Sequence, residues 1–230
     1  MWVKICANTS LEDAQLAASA GADAVGFVFA ESVRRVTPAQ VRAITPHLPE
    51  GIEKYGVFVD AGLDEIAAAI TECGLTGVQI HTALDPALPQ RLRERFPADQ
   101  GRARLKIVRA LHYGSDWQER LRESAENDAI DAVLVDSRTA TLFGGTGRRF
   151  DWLEARANFL QSPRMRLIVA GGLNPQNVAE AIETLRPWGV DVVTGVEALP
   201  GKKDPAKVRA FVENARIAAS KAKLEVEVEA

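Results

Sequence analysis

The chain has few cysteines, little net charge and no long apolar run. Its 230 residues include two cysteines, Cys6 and Cys73, which are too few for a disulfide scaffold. A single bridge between them stays open, and we expect free thiols. With 28 basic and 31 acidic residues the formal net charge is −3, so we expect no broad positive surface for a nucleic acid or an anionic membrane. Any phosphate must therefore be bound locally, by a few placed groups.

The amino-terminal residues lack the apolar stretch and small-residue cleavage site of a secretory signal. They lead directly into a strand-like run that begins at Trp2. Apolar runs elsewhere are too short to cross a bilayer. We therefore expect a cytoplasmic protein, which agrees with free thiols.

The composition is that of a globular protein, with 47% hydrophobic and 26% charged residues. Single-domain α/β barrels reach this length without splitting. We expect one domain over residues 1–220 and a frayed acidic tail over 221–230, where Glu and Val alternate beyond the last helix.

Short β-branched runs alternate with longer stretches of helical period, a pattern typical of βα units and a parallel sheet. Eight units of about 29 residues fit a (β/α)8 barrel, or TIM barrel. The predicted strands are Trp2–Cys6, Ala24–Val28, Lys54–Val59, Gly77–Ile80, Leu105–Ala110, Ala132–Asp136, Leu167–Ala170 and Val190–Val193. The predicted helices are Leu11–Ala20, Pro38–Leu48, Leu63–Cys73, Ala87–Phe96, Asp116–Ala125, Asp151–Leu160, Pro175–Leu185 and Asp204–Ala219.

Three of these helices carry a start signal, in which a capping side chain precedes a proline at the first helical position. The three pairs are Thr37-Pro38, Asn174-Pro175 and Asp204-Pro205.

The position of the glycines favours the barrel over an open doubly wound sheet. A dinucleotide fold would place a glycine-rich turn after the first strand, and none follows Cys6. Glycine-rich turns instead follow the last three strands, at Gly144–Gly147, Gly171–Gly172 and Thr194–Gly195. In a barrel the loops after strands 7 and 8 build a phosphate site from backbone N–H groups.

Cys6 is the first candidate for chemistry because it ends the first strand, and barrel active sites lie at the carboxyl ends of the strands. Period-2 alternation places Lys4 and Cys6 on one face and Val3 and Ile5 on the other. We expect the apolar pair to face the helices and Lys4 and Cys6 to face the interior. The alternative for Cys6 is a small buried hydrophobe.

Asp136 is the second candidate, since it interrupts an apolar strand just before a loop. The alternative is a carboxylate that caps the backbone of that loop. A thiol and a carboxyl group on opposite walls of one pocket would form an acid/base pair without a metal or cofactor. Such a pair suits proton transfer in a sugar phosphate.

The order of several short motifs resembles the phosphoribosylanthranilate isomerase family of tryptophan biosynthesis. The resemblance runs from residue 2 to about residue 208. It is carried by Lys4–Cys6, Gly21–Phe29, Val78–His81, Leu134–Ser137, Phe143–Gly147, Phe150–Trp152, Ala170–Pro175, Gly189–Val192, Gly195–Glu197 and Pro200–Pro205.

The resemblance implies an Amadori rearrangement of N-(5-phosphoribosyl)anthranilate to 1-(2-carboxyphenylamino)-1-deoxyribulose 5-phosphate. Asp136 would be the general acid that opens the sugar ring, and Cys6 the base that removes the C2 proton. A thiol base needs a thiolate fraction or a lowered pKa. Lys4, on the same face, would supply such lowering.

A lysine inside a barrel is costly unless it is paired. Strand 8 neighbours strand 1 in a closed barrel, and its Asp191 interrupts an apolar run in the same way as Lys4. We therefore predict a Lys4–Asp191 pair. A purely structural role for the pair is the alternative to tuning of the thiol.

The resemblance also implies the substrate-binding residues. Arg34 would bind the anthranilate carboxylate through its guanidinium, with solvated surface as the alternative. His81 would line the pocket, with rim packing as the alternative. Gly145 belongs to a loop that would close over the site, and the phosphate would be held near Gly171, Gly172, Thr194 and Gly195.

Two departures from the family pattern concern the site: Ala7 replaces a glycine after the cysteine, and Val193 replaces the first of two serines before the phosphate-site glycine. Cys73, near the end of the third helix, is assigned to packing. We expect no cofactor, no metal and no macromolecular partner beyond a second copy, so the chain would be a monomer or a homodimer.

Two rival functions remain. A histidine-pathway sugar isomerase would carry a carboxylate where Cys6 stands, and a catalytically silent sugar-phosphate binder would not need both Cys6 and Asp136.

Overall fold

The computed structural model describes residues 1–81, 85–98, 103–114, 116–136, 152, 156 and 165–228. Its strands are β1 Trp2–Ile5, β2 Ala24–Val28, β3 Glu53–Phe58, β4 Gly77–Ile80, β5 Lys106–His112, β6 Ala132–Asp136, β7 Arg166–Ala170, β8 Gly189–Val192, β9 Glu197–Leu199 and β10 Lys202–Lys203. The helices are α1 Leu11–Ser19, α2 Pro38–Ile44, α3 Leu63–Cys73, α4 Leu88–Arg95, α5 Trp117–Ala125, α6 Val178–Leu185 and α7 Pro205–Val228, with 3-10 turns at Thr45–His47 and Thr194–Val196.

Strands β1 to β8 form a closed parallel barrel in sequence order. Closure comes from β8 pairing with β1, where Lys4 lies opposite Asp191 and Trp2 opposite Gly189. The predicted (β/α)8 barrel is confirmed, and the open sheet is excluded.

Two apolar layers hold the barrel together. Val3 and Ile5 belong to an outer layer between the strands and the helices, together with Phe211 of α7. A second cluster, which includes Trp2 and Tyr55, fills the barrel interior. The interior is thus a packed core rather than a pore, and the predicted alternation along β1 is confirmed.

Local capping explains where two of the helices start. Thr37 and Gln40 form a capping box at α2. The Asp204 carboxylate accepts hydrogen bonds from the backbone N–H groups of Ala206 at 2.9 Å and Lys207 at 3.0 Å. These two predicted caps are confirmed, since each side chain satisfies N–H groups that the first turn leaves without helical partners.

The predicted cap at Asn174 is wrong by three residues, because α6 starts at Val178. The Asn174 side chain accepts hydrogen bonds from the N–H groups of Gln176 at 2.9 Å and Asn177 at 3.1 Å. It therefore stabilises a turn ahead of the helix, which is the local competition that asparagine offers to helical bonding.

In the structure α7 continues to Val228, through residues 221–228 of the segment for which a frayed tail is predicted. Lys221, Ala222 and Leu224 are strong helix formers, so local propensity overrides the period-2 alternation.

Of the predicted helix Asp151–Leu160, only Trp152 and Arg156 lie within the described residues, and both are helical. The short hairpin β9–β10 was not predicted.

Among the helices that the structure describes, none combines the length and the apolar character that a membrane crossing requires.

Candidate active site

The two predicted acid/base residues both lie at the carboxyl end of the barrel. Cys6 directly follows β1, and its N–H donates to the Val192 carbonyl at 2.9 Å, which extends the pairing with β8 by one residue. Asp136 ends β6 and is 3% exposed, as is Cys6. On one side of the barrel, β7 and β8 stand between them. A buried thiol and a buried carboxyl group therefore share one end of the barrel interior.

Gly26 on β2 creates the space that Cys6 occupies. A Cβ at this position would lie 2.5 Å from Cys6 Sγ and 3.0 Å from Lys4 Cε. The distance to the sulfur is too short for any real contact and the distance to Lys4 is tight, so a larger residue at position 26 would displace the thiol.

The predicted Lys4–Asp191 pair is confirmed. Lys4 Nζ lies 2.9 Å from Asp191 Oδ1, and both side chains are buried. The ammonium also donates to Gln79 Oε1 at 2.8 Å. Burial alone would lower the Lys4 pKa, but Asp191 and Cys6 outweigh it and raise the pKa above its ordinary value. Lys4 is therefore a buried cation beside the thiol.

Lys4 acts on the pKa of Cys6 in the predicted direction, since its charge lowers that pKa, but the net lowering that a thiol base would need does not occur. Burial raises the pKa of the Cys6 thiol above its ordinary value, and the opposing charges of Lys4 and Lys203 do not compensate for it. Desolvation disfavours the thiolate more than one nearby ammonium favours it. In the ligand-free protein Cys6 is consequently a neutral thiol.

Arg34 is engaged by a second buried carboxylate. Its guanidinium binds Glu197 in a bidentate manner, with Nε–Oε1 and Nη2–Oε2 distances of 2.7 Å. Lys203 Nζ lies 3.5 Å from the same carboxylate. Burial would raise the Glu197 pKa, but these cations lower it below its ordinary value. The Arg34 side chain keeps 19% exposure, so a ligand carboxylate must share the guanidinium with Glu197 or displace Glu197 from it.

His81 follows β4 and belongs to a polar group that runs across the barrel. Gln79 Nε2 lies 2.8 Å from His81 Nε2, and the ring centroids of His81 and His112 are 6.3 Å apart. His112 is the register partner of Asp136. The structure thus brings His81 together with the residues around Asp136.

The sequence analysis missed several residues of this region. Gln79 could have been found by the alternation that identified Lys4, because it precedes His81 by two residues on an interior face. Glu197 and Lys203 carry no such signal, since they lie in the unpredicted hairpin β9–β10.

The predicted phosphate residues lie on two touching loops. Gly171 and Gly172 follow β7 with φ of +80° and +67°, a conformation that favours glycine. Thr194 and Gly195 open the 3-10 turn after β8. A Cβ at position 195 would overlap the Leu173 carbonyl oxygen, so glycine is required for this contact. The predicted residue Gly145 and its loop lie outside the described residues.

Both thiols are free in the structure, as predicted. Cys73 is buried at the end of α3, where its Sγ lies 3.5 Å from the Pro38 carbonyl. It therefore joins α3 to α2, away from the polar residues described above. Within the described ranges, no three His, Cys, Asp or Glu side chains form a cluster that could hold a metal ion.

Comparison with known proteins gives one consistent family. A model of the family described as N-(5'phosphoribosyl)anthranilate (PRA) isomerase matches residues 3–214. Relatives named N-(5'-phosphoribosyl)anthranilate isomerase include one from Desulforudis audaxviator, 41% identical over 93% of this chain and 97% of the relative. One from Bacillus cereus is 39% identical over 94% of this chain and 98% of the relative.

Solved structures agree with the sequence comparison. Phosphoribosyl anthranilate isomerase from Thermotoga maritima superposes with a TM-score of 0.78 at 35% identity and covers 94% of this chain and 98% of its own. A phosphoribosyl anthranilate isomerase crystallised with reduced 1-(o-carboxyphenylamino)-1-deoxyribulose 5-phosphate gives a TM-score of 0.76 at 33% identity, with the same coverage of both chains. The chain therefore belongs to the N-(5'-phosphoribosyl)anthranilate isomerase family.

Proposed function

We propose that the chain converts N-(5-phosphoribosyl)anthranilate into 1-(2-carboxyphenylamino)-1-deoxyribulose 5-phosphate, an isomerisation in tryptophan biosynthesis. The observation that carries the proposal is the placement of a buried thiol, Cys6, and a buried carboxyl group, Asp136, at the same end of one barrel. An Amadori rearrangement needs one acid and one base on a substrate that enters from that end. Membership in the family agrees with this reaction.

Asp136 acts as the general acid. It donates a proton to the ring oxygen while the C1–O bond breaks and the anilino nitrogen forms a double bond to C1, which gives an open-chain Schiff base. The open chain places the C2 proton next to an electron-poor C1=N group, so the proton becomes acidic. Ring opening by Asp136 therefore prepares the second proton transfer.

Cys6 acts as the base of the second step. Its thiolate takes the proton from C2, the C2–H electron pair forms a C1=C2 double bond, and the pair of the C1=N bond returns to nitrogen. The resulting enolamine tautomerises when C1 gains a proton and the C2 hydroxyl loses one, which yields the ketone. The nearby Lys4 ammonium stabilises the thiolate while it exists.

Substrate binding follows from the remaining groups. Arg34, held in place by Glu197, meets the anthranilate carboxylate, and His81 lies against the sugar. Backbone N–H groups near Gly171, Gly172, Thr194 and Gly195 hold the phosphate. The reaction uses no metal or cofactor.

We also propose a cellular location, an oligomeric state and a class of partner for the enzyme. It acts in the cytoplasm on a small molecule, as a monomer or a homodimer, and binds neither nucleic acid nor membrane. A Thermotoga maritima relative is described as dimeric.

Two substitutions test the assigned roles. The labile substrate is generated from anthranilate and phosphoribosyl pyrophosphate by a transferase, and the loss of its fluorescence is followed. Cys6→Ala and Asp136→Asn should each lower kcat by at least about 100-fold, because each removes a proton-transfer group. Cys73→Ala is the matched control and should keep the wild-type kcat. Wild-type turnover in either site variant would remove that residue from the mechanism, and an inactive wild type would favour a silent sugar-phosphate binder.

The pH dependence provides an independent readout of Cys6. Because burial raises the pKa of the thiol, its reactive thiolate fraction increases as pH rises from neutrality towards that pKa. The value of kcat/KM for the wild type should therefore rise with pH over this range, and Cys6→Ser should lack this rise. A falling profile above neutral pH would contradict a thiolate base.

A further inference from the structure

A chain of hydrogen bonds runs from β1 to the carboxyl end of β4. Lys4 Nζ donates to Gln79 Oε1 over 2.8 Å, and Gln79 Nε2 lies 2.8 Å from His81 Nε2. Lys4 and Gln79 are 0% and 4% exposed. Water therefore has little access to the amide, and protein groups determine its orientation.

The lysine determines which end of the Gln79 amide faces it. An ammonium has three N–H donors and no acceptor, so only the amide oxygen can face Lys4. A rotated amide would place its NH2 group against a buried cation. The amide nitrogen of Gln79 therefore faces His81, and it can only donate there.

The protonation of His81 follows from the amide. If Gln79 Nε2 donates, then His81 Nε2 must accept with its lone pair and carries no proton. The ring proton consequently resides on Nδ1, and the imidazole is neutral. An imidazolium would place two donors opposite each other at 2.8 Å inside the barrel, an arrangement with no hydrogen bond between them.

We propose that Gln79 is a positioning residue that holds His81 as the neutral Nδ1–H tautomer. With regard to the substrate, the inference rests on the proposed function: the ring that lies against the sugar is then uncharged. Nε2 is occupied by Gln79 and Nδ1 carries the proton, so His81 has no lone pair for a substrate proton. Cys6 is therefore the base on this side of the barrel.

Nitrogen-detected NMR of the imidazole rings tests the inference without any turnover. The chain has three histidines, so His47→Gln and His112→Gln variants assign the spectrum. Near neutral pH, the wild-type protein should show His81 with a protonated Nδ1 and an unprotonated Nε2. A protonated Nε2, whether in the other tautomer or in the imidazolium, would overturn the proposal.

The isosteric variant Gln79→Glu tests whether the Gln79 amide sets the tautomer of His81. A carboxylate accepts from Lys4 and also from His81, so His81 Nε2 should become protonated in this variant. Gln79→Met removes both polar ends and should leave a mixture of tautomers. Gln90→Glu adds the same charge at an exposed position on α4 and should leave the His81 pattern of the wild type. An unchanged pattern in folded Gln79→Glu, with near-UV circular dichroism as the check of folding, would show that Gln79 does not set the tautomer.

Kinetics then connect the tautomer to catalysis. Because the variant changes the protonation of a ring that the proposed function places against the sugar, KM should rise up to about tenfold in Gln79→Glu, with a smaller change in kcat. An unchanged KM alongside a switched tautomer would contradict the contact between His81 and the substrate. Absence of turnover by the wild type would instead count against the proposed function, and the NMR result would still decide the role of Gln79.

Discussion

The residue that follows the proposed base is one of two non-glycine residues with a positive φ in the described part of the chain, and the other is Arg186. Ala7 has φ of +60°, in the left-handed region where a Cβ costs about 1–2 kcal/mol. Its neighbour Asn8 holds the turn, since the Asn8 amide donates to the Ile5 carbonyl at 2.8 Å and to the Gly26 carbonyl at 3.2 Å. The chain therefore tolerates an alanine in a turn that suits glycine.

Ala7→Gly should raise the free energy of unfolding by up to about 1 kcal/mol, because relief of the left-handed strain exceeds the entropy that glycine adds to the unfolded chain. The measurement is urea unfolding followed by circular dichroism. Ala68→Gly, at an exposed position within α3, is the control and should lose about 0.5–1 kcal/mol. Equal losses in both variants would show that Ala7 carries no strain.

At the same scale, alternation and barrel closure were sufficient to predict the Lys4–Asp191 pair. They were insufficient for the pKa of Cys6, since the burial that raises it depends on how tightly the whole interior packs. They also could not reveal that Glu197 binds Arg34, because 163 residues separate the two along the chain. Sequence reasoning placed Lys4, Cys6 and Asp136 in the barrel, whereas their energetics and their partners Gln79, Glu197 and Lys203 required the fold.

At the scale of elements, the loops after β7 and β8 form one unit. The contact is direct, because a Cβ at Gly195 would overlap the Leu173 carbonyl. Asn177 strengthens the β7 side by donating to the Gly172 carbonyl at 2.9 Å. The proposed phosphate site thus depends on a close approach of two backbones.

Gly195→Ala should separate these loops, raise KM for the phosphorylated substrate at least about tenfold and lower the free energy of unfolding by about 1–3 kcal/mol, as overpacking does. Substrate titration and urea unfolding give the two values. Gly51→Ala is the matched control, since a Cβ there would contact nothing within 4 Å. A wild-type KM in Gly195→Ala would remove this contact from the binding site.

The prediction of helices and strands was correct where a strand is a buried apolar segment. It was wrong where a side chain bonds a turn or where a strand is too short to show a pattern. The bounds of β2, β4, β6 and α3 agree with the prediction. The start of α6 was misplaced because the Asn174 side chain bonds a turn ahead of the helix. The hairpin was missed because β9 and β10 contain only three and two residues, too few for a periodic pattern.

At the scale of the molecule, α7 joins the last part of the chain to the first part. Its residues Val208, Phe211 and Ala215 are fully buried. Arg216 donates to the Asp23 carboxylate at 2.7 Å and to the Met1 carbonyl. The first strand and the last helix are therefore joined by apolar packing and by charge.

Deletion of residues 223–230 should leave the thermal midpoint within about 3 °C of the wild type and keep its activity, because the buried residues Val208, Phe211 and Ala215, which pack α7 against the barrel, all precede this segment. Phe211→Ala in the full chain is the contrasting variant and should cost about 3–5 kcal/mol by leaving a cavity. Differential scanning calorimetry compares the three proteins. A collapse of stability on deletion would assign the last residues a structural role.

The packed barrel interior also determines where substrate enters and product leaves. Trp2, Tyr55 and their neighbours fill the barrel core in the described part of the chain, so reactant and product would both use the opening at the carboxyl ends of the strands. Bound product would therefore exclude the next substrate molecule, and we expect product inhibition to be competitive with substrate. A following enzyme that consumes the product would relieve this inhibition. The flux through this protein would then depend on the rate of the next enzyme.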